Sequence, residues 1–301
     1  MKNLLTTLLI LFLIGCAPET KNNEKELLKD DLLSIEKVPL TEPDLVERVI
    51  ESIPSPLEMT SLIQGVGANY SKTILNRLEN VKKYDTNFKK AINLGIYGAD
   101  LGYINLYEQN QDALLYLNSV KKLADDIRVG QYFNFGSLKR LTNVSGNMDS
   151  LLYITISNFE DMYRTLYEQK RSSLTTLMLT GGWLEALHIA SQINRQNKEK
   201  EWHKELSEKI GEQKITLDQI MILLSVYKKD HSIQKLRSDL GRLEKIFNQV
   251  DVKYIYEEPT FTVIDDMIMV QDHSKSIVNI SDQILVDITS ETEAIRTELT
   301  K

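Results

Sequence analysis

The chain has 301 residues, 42% of them hydrophobic, which is enough to bury a substantial core. Its 43 acidic residues outnumber its 36 basic ones for a formal charge of −7, a balance that disfavours nucleic acid and anionic membrane surfaces as partners. A single cysteine, Cys16, excludes an intramolecular disulfide and a cysteine-based metal site.

The first 15 residues read as a secretion signal. Lys2 gives a positive start, and Leu4 to Ile14 form an apolar run broken only by Thr6 and Thr7. A run of about 11 residues is too short to cross roughly 30 Å of hydrocarbon, which takes about 20. Leu13-Ile14-Gly15-Cys16 resembles the lipobox of bacterial lipoproteins. The resemblance implies that the signal is removed, that Cys16 carries a diacyl lipid anchor, and that the new amine is usually acylated as well, palmitate being the kind of chain involved. Ala17 stands where an inner-membrane retention signal would have Asp, which implies the outer membrane of the cell envelope. The competing reading is an ordinary signal peptide followed by an incidental cysteine. Cysteine usage agrees with lipidation, since the sole thiol sits where acylation would consume it, in a compartment where disulfides could form. Each buried acyl methylene contributes about 0.8 kcal/mol, so two or three chains anchor stably. Removing residues 1–15 takes Lys2 with them and leaves 286 residues with a charge of −8.

Residues 16–40 are predicted to form the lipidated Cys16 and a polar tether, and residues 41–301 a single all-α domain. Within the tether, residues 24–37 are charge-dense with a few leucines and fit either a short helix or a solvated stalk. Prolines stand at 18, 39, 43, 54, 56 and 259, so none interrupts residues 57–258. A long stretch without a helix breaker, combined with helical periodicity, predicts long helices and short turns. Ser55-Pro56-Leu57-Glu58 reads as a capping box that opens a helix, and Thr216-Leu217-Asp218-Gln219 reads as a second one.

Four apolar stripes follow the helical period: Ala113, Leu117, Val120, Ala124 and Ile127; Met148, Leu152, Thr155, Phe159, Met162 and Leu166, with Asn147 as N-cap; Leu174, Leu177, Gly181, Leu184 and His188; and Ile233, Leu236, Leu240, Leu243, Phe247 and Val250. Strand alternation is confined to 252–270, and a closing helix is predicted to carry Ile277, Ile284, Ile288, Ile295 and Leu299. No fixed-period repeat occurs. The predicted architecture is an irregular multi-helix bundle of antiparallel helical hairpins.

Two constellations are candidates for chemistry. The segment from Asn93 to Tyr103 is apolar nearly all round, which predicts a central helix. Gly95, Gly98 and Gly102 offer a bare stripe for close helix approach, while Asn93, Tyr97, Asp100 and Tyr107 share another face. Tyr97, Asp100 and Tyr107 are candidate ligand-binding residues, since a carboxylate among tyrosines suits a polar or cationic ligand. The structural alternative is a buried Asp100 bonded to tyrosine hydroxyls. The second constellation is Gly181-Gly182-Trp183-Leu184-Glu185-Ala186-Leu187-His188, where adjacent glycines predict a kink or a very close contact. Glu185 and His188 have the Glu-x-x-His spacing that places carboxylate and imidazole together, as in di-iron bundles. It occurs once, however, so a structural Glu–His contact competes with a metal site. The nucleophile elbow, the zinc His-Glu-x-x-His pattern and the phosphate loop are missing from the sequence.

Tyr97 to Tyr103, Asn147 to Leu152 and Gly181 to Glu185 resemble segments of uncharacterised all-helical lipoproteins of Bacteroidetes. That resemblance implies fold and location and transfers no functional residue. The expected function is a membrane-anchored envelope lipoprotein with a non-catalytic body, without a cofactor, that binds a partner protein or small ligand. The alternatives are a metal-binding or metal-dependent bundle using Glu185 and His188, and a structural subunit of an envelope complex.

Overall fold

Pro56 stands at the first position of a helix, as the sequence requires, because a proline in the first turn removes an N–H that has no intrahelical partner. In a computed structural model the described residues are 48–50, 52, 53, 56–137, 162, 165–257, 260–264, 267–271 and 275–301. The chain divides into Met1–Leu45 and Val46–Lys301, and every described element belongs to the second unit. Cys16, the tether, Ser55, Asn147 and most of the second apolar stripe lie outside the described residues; Met162 and Leu166 of that stripe are buried.

Helix α1 (Pro56–Gly65) is followed by an irregular segment with short 3-10 turns at Lys72–Ile74 and Leu78–Lys83. Helix α2 (Asn87–Leu106) starts at Thr86, whose hydroxyl accepts from the Lys89 N–H at 3.1 Å. It is buried on every side from Ala91 to Leu106, the central position that its all-round apolarity predicts. Helix α3 (Asn110–Asp126) turns its predicted stripe into the core, with Ala113, Leu117, Val120, Ala124 and Ile127 all buried. Helix α4 (Ser172–Gln196) is buried from Leu174 to Asn194 and makes its most extensive contact with α2.

That contact explains the paired glycines. A Cβ on Gly95 would fall on the Met178 carbonyl oxygen and against the Gly182 amide, and a Cβ on Gly181 would fall on the Ile92 carbonyl. The two helices touch backbone to backbone, so Gly181-Gly182 mark a close approach, with α4 continuous through them.

Helices α5 (His203–Val226), α6 (His231–Phe247) and α7 (Asp282–Leu299) complete the bundle, with α6 packed against both α5 and α7. Asp230 caps α6 by accepting from the Ser232 and Ile233 N–H groups, and Ser281 caps α7. The expected capping box at Thr216 is corrected: Thr216 is buried inside α5, because the apolar period through Leu206, Ile210, Leu217, Ile220 and Leu224 runs past it.

Between α6 and α7 the chain forms β1 (Asp251–Ile255), β2 (Thr260–Ile264), β3 (Met267–Gln271) and β4 (Lys275–Asn279), with β1 antiparallel to β4 and β2 to β3. The extended region is thus longer than expected, and Ile277 belongs to β4, opposite Lys253, rather than to the closing helix. Alternation decides this: Val278 turns inward onto α5 at Gly211, where a Cβ would strike it, and Ile277 turns outward. Small β ladders on a helical body leave the fold all-α, a multi-helix bundle.

Three helical segments end without glycine. Glu108, Arg128 and Lys170 take positive φ of 54°, 58° and 59°. Each repeats one hydrogen-bond pair, as in Glu108 N–H to Asn105 O and Gln109 N–H to Ile104 O. This is the Schellman stop with an exposed charged residue in the left-handed position. Replacing all three by glycine is expected to raise the unfolding free energy by up to about 1 kcal/mol per site, read from urea midpoints, because relief of left-handed strain exceeds the entropy cost of glycine.

Candidate functional site

The polar residues of the core converge where α2, α4 and α7 meet. Glu185 on α4 is fully buried, and both of its oxygens accept from Arg296 of α7, Oε2 from Nε at 2.5 Å and Oε1 from an η nitrogen at 2.6 Å. This two-pronged geometry matches the guanidinium fork to the carboxylate. Asp100 on α2 is also fully buried, and its Oδ2 accepts from the Asn76 N–H at 3.2 Å. Burial, followed by the negative charge of Glu185, holds the Asp100 carboxyl well above the usual range, with Arg296 opposing. Its Oδ1 accepts from no donor, and a second carboxylate acts on it. Burial and the neighbouring Glu185 therefore favour the protonated form of Asp100.

The irregular segment 74–77 is what this cluster holds. Asp100 takes the Asn76 N–H, Tyr116 of α3 donates to the Asn76 carbonyl at 2.7 Å, and Tyr97 of α2 donates to the Arg77 carbonyl at 2.6 Å. His188 of α4 donates from Nε2 to the Ile74 carbonyl at 3.2 Å. The Asn76 side chain links onward to Tyr84 at 3.1 Å and to Asn80 at 2.9 Å. A non-helical strand of backbone inside a helical core leaves polar groups that must be paired. Three helices supply the partners. Burial pushes both tyrosine hydroxyls up, so Tyr97 and Tyr116 remain protonated donors.

The structural reading of Asp100 thus has a different partner from the one expected: the backbone of Asn76 rather than tyrosine hydroxyls. Tyr97 and Asp100 serve one segment, whereas Tyr107 belongs to a separate stack with Tyr70 and Tyr103, whose ring centroids lie 4.9 to 5.7 Å apart. There Tyr107 donates to the Ala68 carbonyl at 2.7 Å, and Tyr103 accepts from the Ser71 N–H at 2.9 Å. Burial brings the Tyr103 hydroxyl up to about 12, with that N–H opposing. Glu185 and His188 are neighbours, but the hydrogen-bond partner of Glu185 is Arg296. Among the described residues, no group of three or more His, Cys, Asp or Glu side chains is placed to hold a metal ion. Arg296 was not among the residues predicted for the site. The signal was available, because Arg296 falls one turn beyond Thr292 and two beyond Thr289 on the buried side of α7.

His188 gives a pH dependence. Burial lowers it to about 4, against the pull of Glu185. An unfolded histidine takes its proton near 6.5 and the folded one only near 4, so the stabilisation is whole above 6.5 and is lost as pH falls through 4. Unfolding free energy is expected to drop by about 3 kcal/mol from this group between pH 7.5 and pH 4. Urea titrations at stepped pH should show that part of the acid slope missing in His188→Gln; equal slopes would refute the assignment.

No family model, curated protein or solved structure matches the chain.

Proposed function

We propose that the protein is a lipid-anchored component of a bacterial cell envelope, held through Cys16, whose helical body binds a protein partner and performs no catalysis. The anchor rests on Leu13-Ile14-Gly15-Cys16. Among the described residues no helix is long and apolar enough to cross a membrane. The groups that would be expected to do chemistry, Asp100, Glu185 and His188, are buried and engaged with the protein's own backbone or with Arg296.

The observation that carries the binding role is the outer face of the β1–β4 ladder. There Ile255 and Ile277 are 43% and 46% exposed, while Val278 on the other face seals onto α5. Across the ladder Ile277 lies opposite Lys253 and Ile255 opposite Lys275, so the exposed isoleucines are flanked by the two lysines of the strands. Such a face complements a protein surface that carries its own apolar strip with acidic side chains beside it.

Native mass spectrometry of the detergent-extracted full chain tests both halves. The expected result is an acyl mass on Cys16 and a stoichiometric complex with a partner protein, lost in Ile255→Lys/Ile277→Lys while the helical circular dichroism is unchanged. A monomer without a bound protein in both forms, or the same complex in both, would overturn the binding role.

A further inference from the structure

The seam between α4 and α7 contains buried polar atoms that the ion pair does not explain. His188 Nδ1, Ser191 Oγ and Thr292 Oγ1 have no hydrogen-bond partner, and their residues are 4%, 1% and 0% exposed. Four buried hydroxyls elsewhere in the helices bond back to the carbonyl one turn earlier, Thr180 to Thr176, Ser207 to His203, Thr289 to Leu285 and Thr300 to Arg296, whereas Thr175 Oγ1 near the start of α4 also has no partner. Ser191 and Thr292 do not take that bond, so their hydroxyls are directed elsewhere.

The register of the two helices places these residues along one stretch of the seam. Glu185 pairs with Arg296, Gln192 donates to Glu293 at 3.1 Å, and Arg195 lies 3.6 Å from Glu293, so the helices run antiparallel. His188 is one turn past Glu185 on α4, and Thr292 is one turn before Arg296 on α7. Ser191 follows His188 by another turn on the same side. The Gln192–Glu293 hydrogen bond, one turn beyond His188 on α4, places this stretch of α7 against that part of the helix.

The tautomer fixes what the site can accept. His188 Nε2 donates to the Ile74 carbonyl, so Nδ1 presents a lone pair. The two hydroxyls can each donate or accept. Arg296 beside them carries a positive charge that Glu185 already balances, which disfavours a cation. A neutral donor with two hydrogens and two lone pairs suits one nitrogen and two hydroxyls, and buried water typically makes about three such bonds.

We propose that His188 Nδ1, Ser191 Oγ and Thr292 Oγ1 line one internal hydration site, whose water donates to Nδ1 and bridges the two hydroxyls across the α4–α7 seam. A crystal structure of the detergent-extracted full chain should show a density peak within about 2.7–3.2 Å of all three atoms. Hydroxyls turned back to the Leu187 and Ile288 carbonyls, with no such peak, would overturn the proposal. A double-mutant cycle gives a second readout. Ser191→Ala and Thr292→Val should be coupled by about twofold or more in the unfolding equilibrium constant, because each removes a partner of the same water. Additive effects would count against a shared molecule.

Discussion

Arg296→Met is expected to lower the unfolding free energy by about 3–5 kcal/mol, because it leaves the Glu185 carboxylate buried without a counter-charge. The cost falls on the centre of the fold, since Arg296 is 12% exposed at its side chain and Glu185 is fully buried. The double variant Glu185→Leu/Arg296→Met should recover most of the loss, because it removes both charges together. Urea unfolding of the wild type, the two single variants and the double variant gives the cycle directly. Were the double variant to lose the sum of the singles, the pair would not be the unit that the geometry indicates.

Gly95→Leu should cost about 3 kcal/mol or more, at the upper end for overpacking, because the atom struck is the Met178 backbone oxygen and α4 cannot yield there without moving as a whole. Gly95→Ala should already show part of the loss. Gly241 on α6 supplies the contrast. A Cβ there meets only the end of the Met221 side chain at 4.0 Å, so Gly241→Ala is expected to gain about 0.5–1 kcal/mol from helix propensity. Opposite signs at two helical glycines, measured by thermal and urea unfolding, would show that contact rather than glycine content sets the outcome.

What could be read in the sequence follows the physics of each feature. Stripes on α3 and α6 were legible because apolar periodicity is local and the burial that it implies needs only some neighbour to pack against. The centrality of α2 was legible for the same reason. Helix ends at Glu108, Arg128 and Lys170 were not, because the usual marker of a left-handed stop is glycine or asparagine and these positions carry long charged side chains. Thr216 misled because a Thr followed by Asp and Gln looks like a cap, yet the pattern on both sides is one helix. In the candidate site, Asp100, Tyr97, Glu185 and His188 stood out as polar residues on apolar faces. The partners of His188, Asp100 and Tyr97 were hidden: Ile74, Asn76 and Arg77 contribute backbone groups, and the backbone carries no residue-specific signal.

The ion pair at the centre also bears on how the molecule is assembled in time. Glu185 and Arg296 are 111 positions apart, with α5, α6 and the β ladders between them. Until α7 docks, the carboxylate of α4 has no counter-charge, and the low-dielectric packing around it is opposed by its own desolvation. Closing so long a loop is slow compared with forming any one helix. The α2–α4 crossing is therefore expected to be consolidated late in refolding, together with α7, and substitutions at Arg296 should slow the folding limb as well as speed the unfolding one.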